Sequence, residues 1–170
     1  MHYATVERRE HLKHGFTHDP FKALVAPRPI GWITTRSVDG VVNLAPYSFF
    51  NAVSDQPPMV MFSSSGRKDS LRNIEATGEF TCSIASHDLV DAMNLSSASV
   101  ASETSEYALT GLATAPSLIV EPPRVAASPA ALECRVWKTV TLPGGEGAGG
   151  PTVVFGQVVA IYVDARVVKD

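Results

Sequence analysis

The sequence predicts a mainly β domain that closes into a barrel. Three observations carry that expectation: six or more β-rich runs along the chain, two or three short helical patterns, and no alternation of strands with long helices of the kind a doubly wound sheet requires. With 170 residues, 45% of them apolar, the chain suits one domain with a real core.

The elements follow in chain order. Met1 to Asp19 is polar and irregular and reads as an N-terminal arm, so the domain is expected over 20–170. Ile30 to Thr35 is β-rich, Asp39-Gly40 is a turn dipeptide and Val41 to Leu44 resumes an extended pattern, which predicts a hairpin. Tyr47 to Val53 is aromatic and apolar, Pro57-Pro58 punctuates, and Met59 to Phe62 is a short apolar run of the buried-strand type. Leu71, Ile74 and Glu75 then fall at helical spacing, with Asp69 expected as N-cap and Gly78 where a left-handed C-terminal cap belongs. Phe80 to Ala85 returns to strand. Ser86 is a candidate N-cap for a helix through Met93, and Ser96 to Ser105 reads as a loop. Two long β-rich runs, Ala131 to Leu142 and Thr152 to Val163, flank a glycine-rich connector and read as a terminal hairpin.

Composition narrows the partners. A formal net charge of −3 lacks the footprint of a general nucleic-acid binder, so a small anion held by a local basic patch is the better expectation. No signal-like stretch opens the chain and no apolar run approaches the ~20 residues of a membrane helix. A cytoplasmic protein without a membrane partner is expected. Cys82 and Cys134 each sit in a strand-like run, which suits buried thiols better than a disulfide.

The most informative segment is Met59-Val-Met-Phe62 leading through Ser63-Ser-Ser-Gly-Arg-Lys-Asp-Ser70 into a helix. Small hydroxyl residues before a helix start present backbone N–H groups and a favourable dipole to an anion. Arg67 adds a planar fork and Lys68 a point charge, the parts a phosphate needs. The segment lacks the glycine spacing of a nucleotide triphosphate loop. Gly145-Glu-Gly147-Ala-Gly-Gly150 matches a dinucleotide fingerprint as text, but Pro151 and a β-rich run follow instead of a helix, so it reads as a hairpin tip. His11, His14 and His18 recur at helical spacing without a completing carboxylate or cysteine, so no metal site is expected. Binding groups outnumber reactive ones, as when a cofactor carries the chemistry.

These residues resemble the FMN-binding split-barrel proteins of the flavin reductase-like group, which includes flavoredoxin and the reductase components of two-component monooxygenases. The resemblance runs through Arg28-Pro-Ile-Gly-Trp-Ile-Thr-Thr-Arg36, Asn43-Leu-Ala-Pro-Tyr-Ser-Phe-Phe-Asn51, Ser63 to Ser70, Arg72-Asn-Ile74, Thr77-Gly-Glu-Phe80 and Ala92-Met-Asn94, and continues in Glu106-Tyr107, Pro123-Arg-Val125 and Leu132-Glu-Cys134. It implies a six-stranded split β-barrel of Greek-key character, packed as a homodimer with FMN in clefts between subunits. On that resemblance Ser48 and Asn51, with the backbone of Phe49 and Phe50, line the flavin and its ribityl chain. Ser63, Ser64, Gly66, Arg67, Lys68 and Ser70 surround ribityl and phosphate. Thr34 and Thr35 offer hydroxyls to the isoalloxazine edge, although strand alternation lets only one of them face a cleft. The implied activity is an NAD(P)H-dependent FMN reductase that supplies reduced flavin to a partner monooxygenase. Family members commonly continue into a segment rich in Arg, Gly and Tyr, whereas this chain ends at Asp170. The alternative this motivates is an FMN-binding electron carrier or flavin-holding protein without a nicotinamide site.

Overall fold

The computed structural model describes residues 2–5, 9–144 and 149–169. Two single-turn helices, α1 (Glu10–Lys13) and α2 (Phe21–Leu24), precede a β-rich body. Strands β1 (Gly31–Arg36) and β2 (Val42–Tyr47) form the expected hairpin, whose turn uses Gly40 at φ 89°, a left-handed conformation that costs glycine little. Strands β3 (Phe50–Asp55) and β4 (Pro58–Ser64) follow, then helix α3 (Asp69–Thr77), ended by Gly78 at φ 73°. After β5 (Glu79–Ser83) come a 3₁₀ turn at His87–Leu89, α4 (Val90–Leu95) and α5 (Glu106–Thr110). Two short strands, β6 (Thr114–Ala115) and β7 (Arg124–Val125), lead to the long hairpin β8 (Ala130–Thr141) and β9 (Thr152–Val163).

Seven strands form one antiparallel sheet in the order β2-β1-β5-β8-β9-β4-β3, with β6 and β7 as a separate ribbon. The split barrel is therefore present with one strand more than the resemblance implies. Each of the seven strands matches one β-rich run of the sequence; the Tyr47–Val53 run is broken by a bend at Ser48–Phe49, so that Tyr47 ends β2 and the remainder opens the edge strand β3. The β6–β7 ribbon was not expected, because its pairs sit among prolines that read as turns.

The sheet curls around one core, where Ile33, Phe62, Phe80, Cys82, Cys134 and Val154 are all completely buried. A Cβ at Gly156 would stand 2.4 Å from the Phe80 ring, so this position on β9 has no room for a side chain. Strand alternation sends Trp32 and Leu44 to the opposite face, where they pack with Leu89, Tyr107 and Val125 under the α4–α5 segment. Trp32 is fully buried and its Nε1–H donates to Ser96 Oγ at 2.9 Å, tying the start of the 96–105 loop to the body. Both cysteines are free and buried, and burial pushes the Cys82 thiol up to about 12.

The outer edge of β2 is occupied by side chains of the α5 region. Ser105 Oγ donates to the Val42 carbonyl at 2.6 Å and the Leu44 N–H donates to Glu106 Oε2 at 2.8 Å. Buried Glu133 acts similarly on the 116–123 loop, accepting the N–H groups of Leu118 and Ile119 at 2.7 Å each. The connector expected as a hairpin tip, Gly145 to Gly150, has residues 145–148 outside the described residues.

Candidate functional site

The serine-rich motif lies where β4 hands over to α3. Ser63 and Ser64 end the strand, the chain turns through Gly66 at φ 85°, and Lys68 in extended conformation caps the helix. The first helical bond runs from the Arg72 N–H to the Lys68 carbonyl at 3.0 Å. This moves the cap one residue back from the expected Asp69, which is instead the first helical residue and turns its carboxylate to Arg72. The first-turn N–H groups of α3 have no intrahelical acceptor and carry the positive end of its dipole.

Beside this helix start opens a cavity of about 410 Å³. Arg67 to Ser70 and Arg72 form one wall, Asn43 and Tyr47 of β2 with Glu106 form another, and Ser96 to Val100 form the third. Three cations therefore share one concavity. Arg67 pairs with Glu75 at 2.8 Å, and Arg72 pairs with Asp69. Lys68 has no ion pair among the described residues.

The polar floor is buried. Asn43 Nδ2 donates to Ser70 Oγ at 2.9 Å. The Tyr47 hydroxyl lies close enough to Ser64 and Ser70 for their hydroxyls to favour its phenolate, yet it forms no hydrogen bond within the protein, and burial is the stronger influence, raising its pKa. Glu106 is likewise raised, first by burial and further by the charge of Asp69, while the N–H groups of Leu44 and of Glu106 itself work against the rise.

The expected residues divide into four groups. Arg67, Lys68 and Ser70 line the cavity. Ser63, Ser64 and Gly66 precede these residues in the chain without lining the cavity, with Ser64 fully buried and donating to the Gly66 carbonyl at 3.0 Å. Ser48 to Asn51 lie alongside, because the Ser63 N–H donates to the Phe49 carbonyl at 2.9 Å and Phe50 faces Phe62 in the β3–β4 register. The Phe50 side chain belongs to the core and lies against Gly31, where a Cβ would stand 2.5 Å from the ring.

Thr34 and Thr35 are not brought to the cavity. Both are completely buried: the Thr34 hydroxyl pairs with the Tyr107 hydroxyl at 2.8 Å on one face of β1, and Thr35 Oγ1 accepts from Asn73 at 3.0 Å on the other. Asn43, Tyr47, Arg72 and Glu106 are among the cavity residues that the sequence does not single out as ligands. Each falls inside a segment that carries the resemblance, but no spacing in the chain signals that they converge.

A model of the flavin reductase like domain matches residues 24–170. The chain belongs to the flavin reductase-like family. An uncharacterized protein from Aquifex aeolicus is 34% identical over 152 residues, covering 86% of this chain and 74% of that one. Among solved structures, nitrilotriacetate monooxygenase component B from Bacillus cereus superposes with a TM-score of 0.88 at 28% identity, covering 100% of this chain and 84% of that one. The 2-nitrobenzoate 2-nitroreductase of Pseudomonas fluorescens superposes with a TM-score of 0.83 at 27% identity, over 99% of this chain and 79% of that one. A flavin-handling oxidoreductase is the activity that this family membership supports. No helix among the described residues of this flavin reductase-like chain is long and apolar enough to cross a membrane.

Proposed function

We propose that this flavin reductase-like protein is an NAD(P)H-dependent FMN reductase, working as a homodimer and supplying reduced flavin to a partner such as a monooxygenase. The observation that carries the reading is the convergence of Arg67, Lys68 and Arg72 with the start of α3 on one cavity. That donor set fits a phosphate ester: a planar fork, a point charge without an ion pair among the described residues, and N–H groups at the positive end of a nine-residue helix. Residues 1–19 are an arm to this domain, which spans 20–170.

In this reading Arg67, Lys68 and Ser70 hold the phosphate. Ser63, Ser64 and Gly66 shape the turn that leads to it. Ser48 and Asn51, with the backbone of Phe49 and Phe50, hold the ribityl chain and ring, since this segment runs beside the end of β4, with Phe49 bonded to Ser63, Phe50 facing Phe62 and Asn51 facing Met61. Thr34 and Thr35 support β1 instead, as their hydroxyls are already used inside the protein. The bound flavin would supply the redox chemistry, accepting hydride from the nicotinamide. The protein's part is to grip and orient, and no side chain of the cavity need act as acid or base.

The test begins with the absorbance spectrum of the purified protein after FMN addition and desalting. The loaded protein is then mixed anaerobically with NADH or NADPH, and bleaching of the flavin band is the expected result. A bound flavin that stays oxidised with both nucleotides, yet bleaches with dithionite, overturns the reductase reading.

A further inference from the structure

We infer that Arg72 is the positioning residue that makes this site accept a doubly charged phosphate, by cancelling the Asp69 carboxylate on the cavity wall. The inference rests on the cavity being the FMN phosphate site.

Asp69 poses the problem. As the first residue of α3 its carboxylate complements the helix dipole. The same helix start is where the phosphate is to sit, however, and a carboxylate there repels a dianion. A second carboxylate, Glu106, lines the cavity too. Of the three cations, Arg67 is engaged by Glu75 and Arg72 by Asp69, which leaves Lys68 without an ion pair among the described residues.

Arg72 reaches three groups at once. Its Nη2 donates to Asp69 Oδ1 and, at 2.8 Å, to Ser102 Oγ, while Nη1 donates to the Arg67 carbonyl at 3.2 Å. The first contact neutralises the carboxylate. The contact with the Arg67 carbonyl holds the peptide between Arg67 and Lys68. The contact with Ser102 anchors the 96–105 segment, whose residues Ser96 to Val100 are the facing wall of the cavity. A fork with several donors in one plane can hold three acceptors in fixed directions, and an ammonium on a flexible stem cannot do so in the same geometry.

A charge-cancelling role differs from a direct phosphate contact in one respect: it disappears when Asp69 loses its charge. The experiment is a double-mutant cycle with Arg72→Gln, Asp69→Asn and the two combined, reading dissociation constants for FMN and riboflavin by flavin fluorescence, with folding followed by thermal melting. Arg72→Gln should weaken FMN by about tenfold or more while riboflavin changes less than about twofold, because only FMN carries the phosphate. Asp69→Asn should tighten FMN by about two- to threefold, and the double variant should return to within about threefold of the parent.

A double variant as weak as Arg72→Gln overturns the inference, as does an Arg72→Gln protein with unchanged FMN affinity. Should Arg72→Gln fail to fold, Asp69→Asn alone decides: tighter FMN binding supports the inference and weaker binding overturns it. A parent protein that binds riboflavin as well as FMN removes the phosphate-site reading itself, and the inference with it.

Discussion

Loss of Lys68 should weaken FMN binding more than loss of Arg67, although the guanidinium is the better phosphate fork in isolation. The reason is what each gives up. Arg67 is held by Glu75 at 2.8 Å, so contact with a phosphate requires it to share or leave an existing partner. Lys68 has no ion pair among the described residues and lines the same cavity. A unit charge pair at about 4 Å is worth ~1 kcal/mol in water and ~4 kcal/mol at the effective dielectric of a protein surface. For an exposed lysine the lower part of that range applies, about 1–2 kcal/mol. The expected loss for Lys68→Ala is therefore about 5- to 30-fold in FMN affinity at low salt. For Arg67→Ala the gain from phosphate is offset by an exposed ion pair worth under ~1 kcal/mol, leaving about 2- to 5-fold. Isothermal titration with FMN and with riboflavin, at low and at about 0.15 M salt, measures both effects, and added salt should shrink the difference. A larger loss for Arg67→Ala, or an equal loss of riboflavin affinity in either variant, refutes the reasoning.

Two further expectations concern the scaffold. Gly156→Ala places a methyl group 2.4 Å from the Phe80 ring in a core without slack, and should cost about 1–3 kcal/mol, seen as a melting point lower by roughly 3–10 °C; an unchanged melting point would show that β9 can shift freely. Because Glu106 is raised above the ordinary glutamate value of 4.5, the folded protein keeps a proton there that the unfolded chain has released. Its contribution thus favours folding below 4.5 and is lost as pH rises through the folded value. Glu106→Gln keeps an acceptor for the Leu44 N–H without the charge, so its stability relative to the parent should improve from acid toward neutral pH. A difference that is flat with pH would show that the Glu106 charge carries no such burden.

Local signals made much of the scaffold legible. Asp39-Gly40 marked the first hairpin, Gly78 marked the end of α3, and the two long β-rich runs marked β8 and β9, because turn chemistry and strand composition act over a few residues. The anion motif was legible for the same reason: its strand, turn and helix start are contiguous in the chain. The cavity's other walls were not, since Asn43, Glu106 and Ser96 to Val100 reach it only through the pairing of β1 with β2 and the packing of α5 on that edge. The Thr34 and Thr35 outcome has the same origin. Alternation showed that the two hydroxyls face opposite ways, but only the packed structure shows that Tyr107 and Asn73 already occupy both. Asp69 lies one residue inside the helix, where its carboxylate meets Arg72 one turn on instead of capping the helix start.

The side chains that cover β2 also set how this sheet can grow. Ser105 and Glu106 take a carbonyl and an N–H on that flank, and Pro46 supplies no N–H at all, so an incoming strand finds no continuous ladder there. Strand β3 ends the other flank and, among the described residues, pairs with β4 alone. Strand addition is thereby confined to one side of the molecule. Two copies that met through β3 would use up each other's open flank, so such growth stops at a closed pair instead of running on into a fibre.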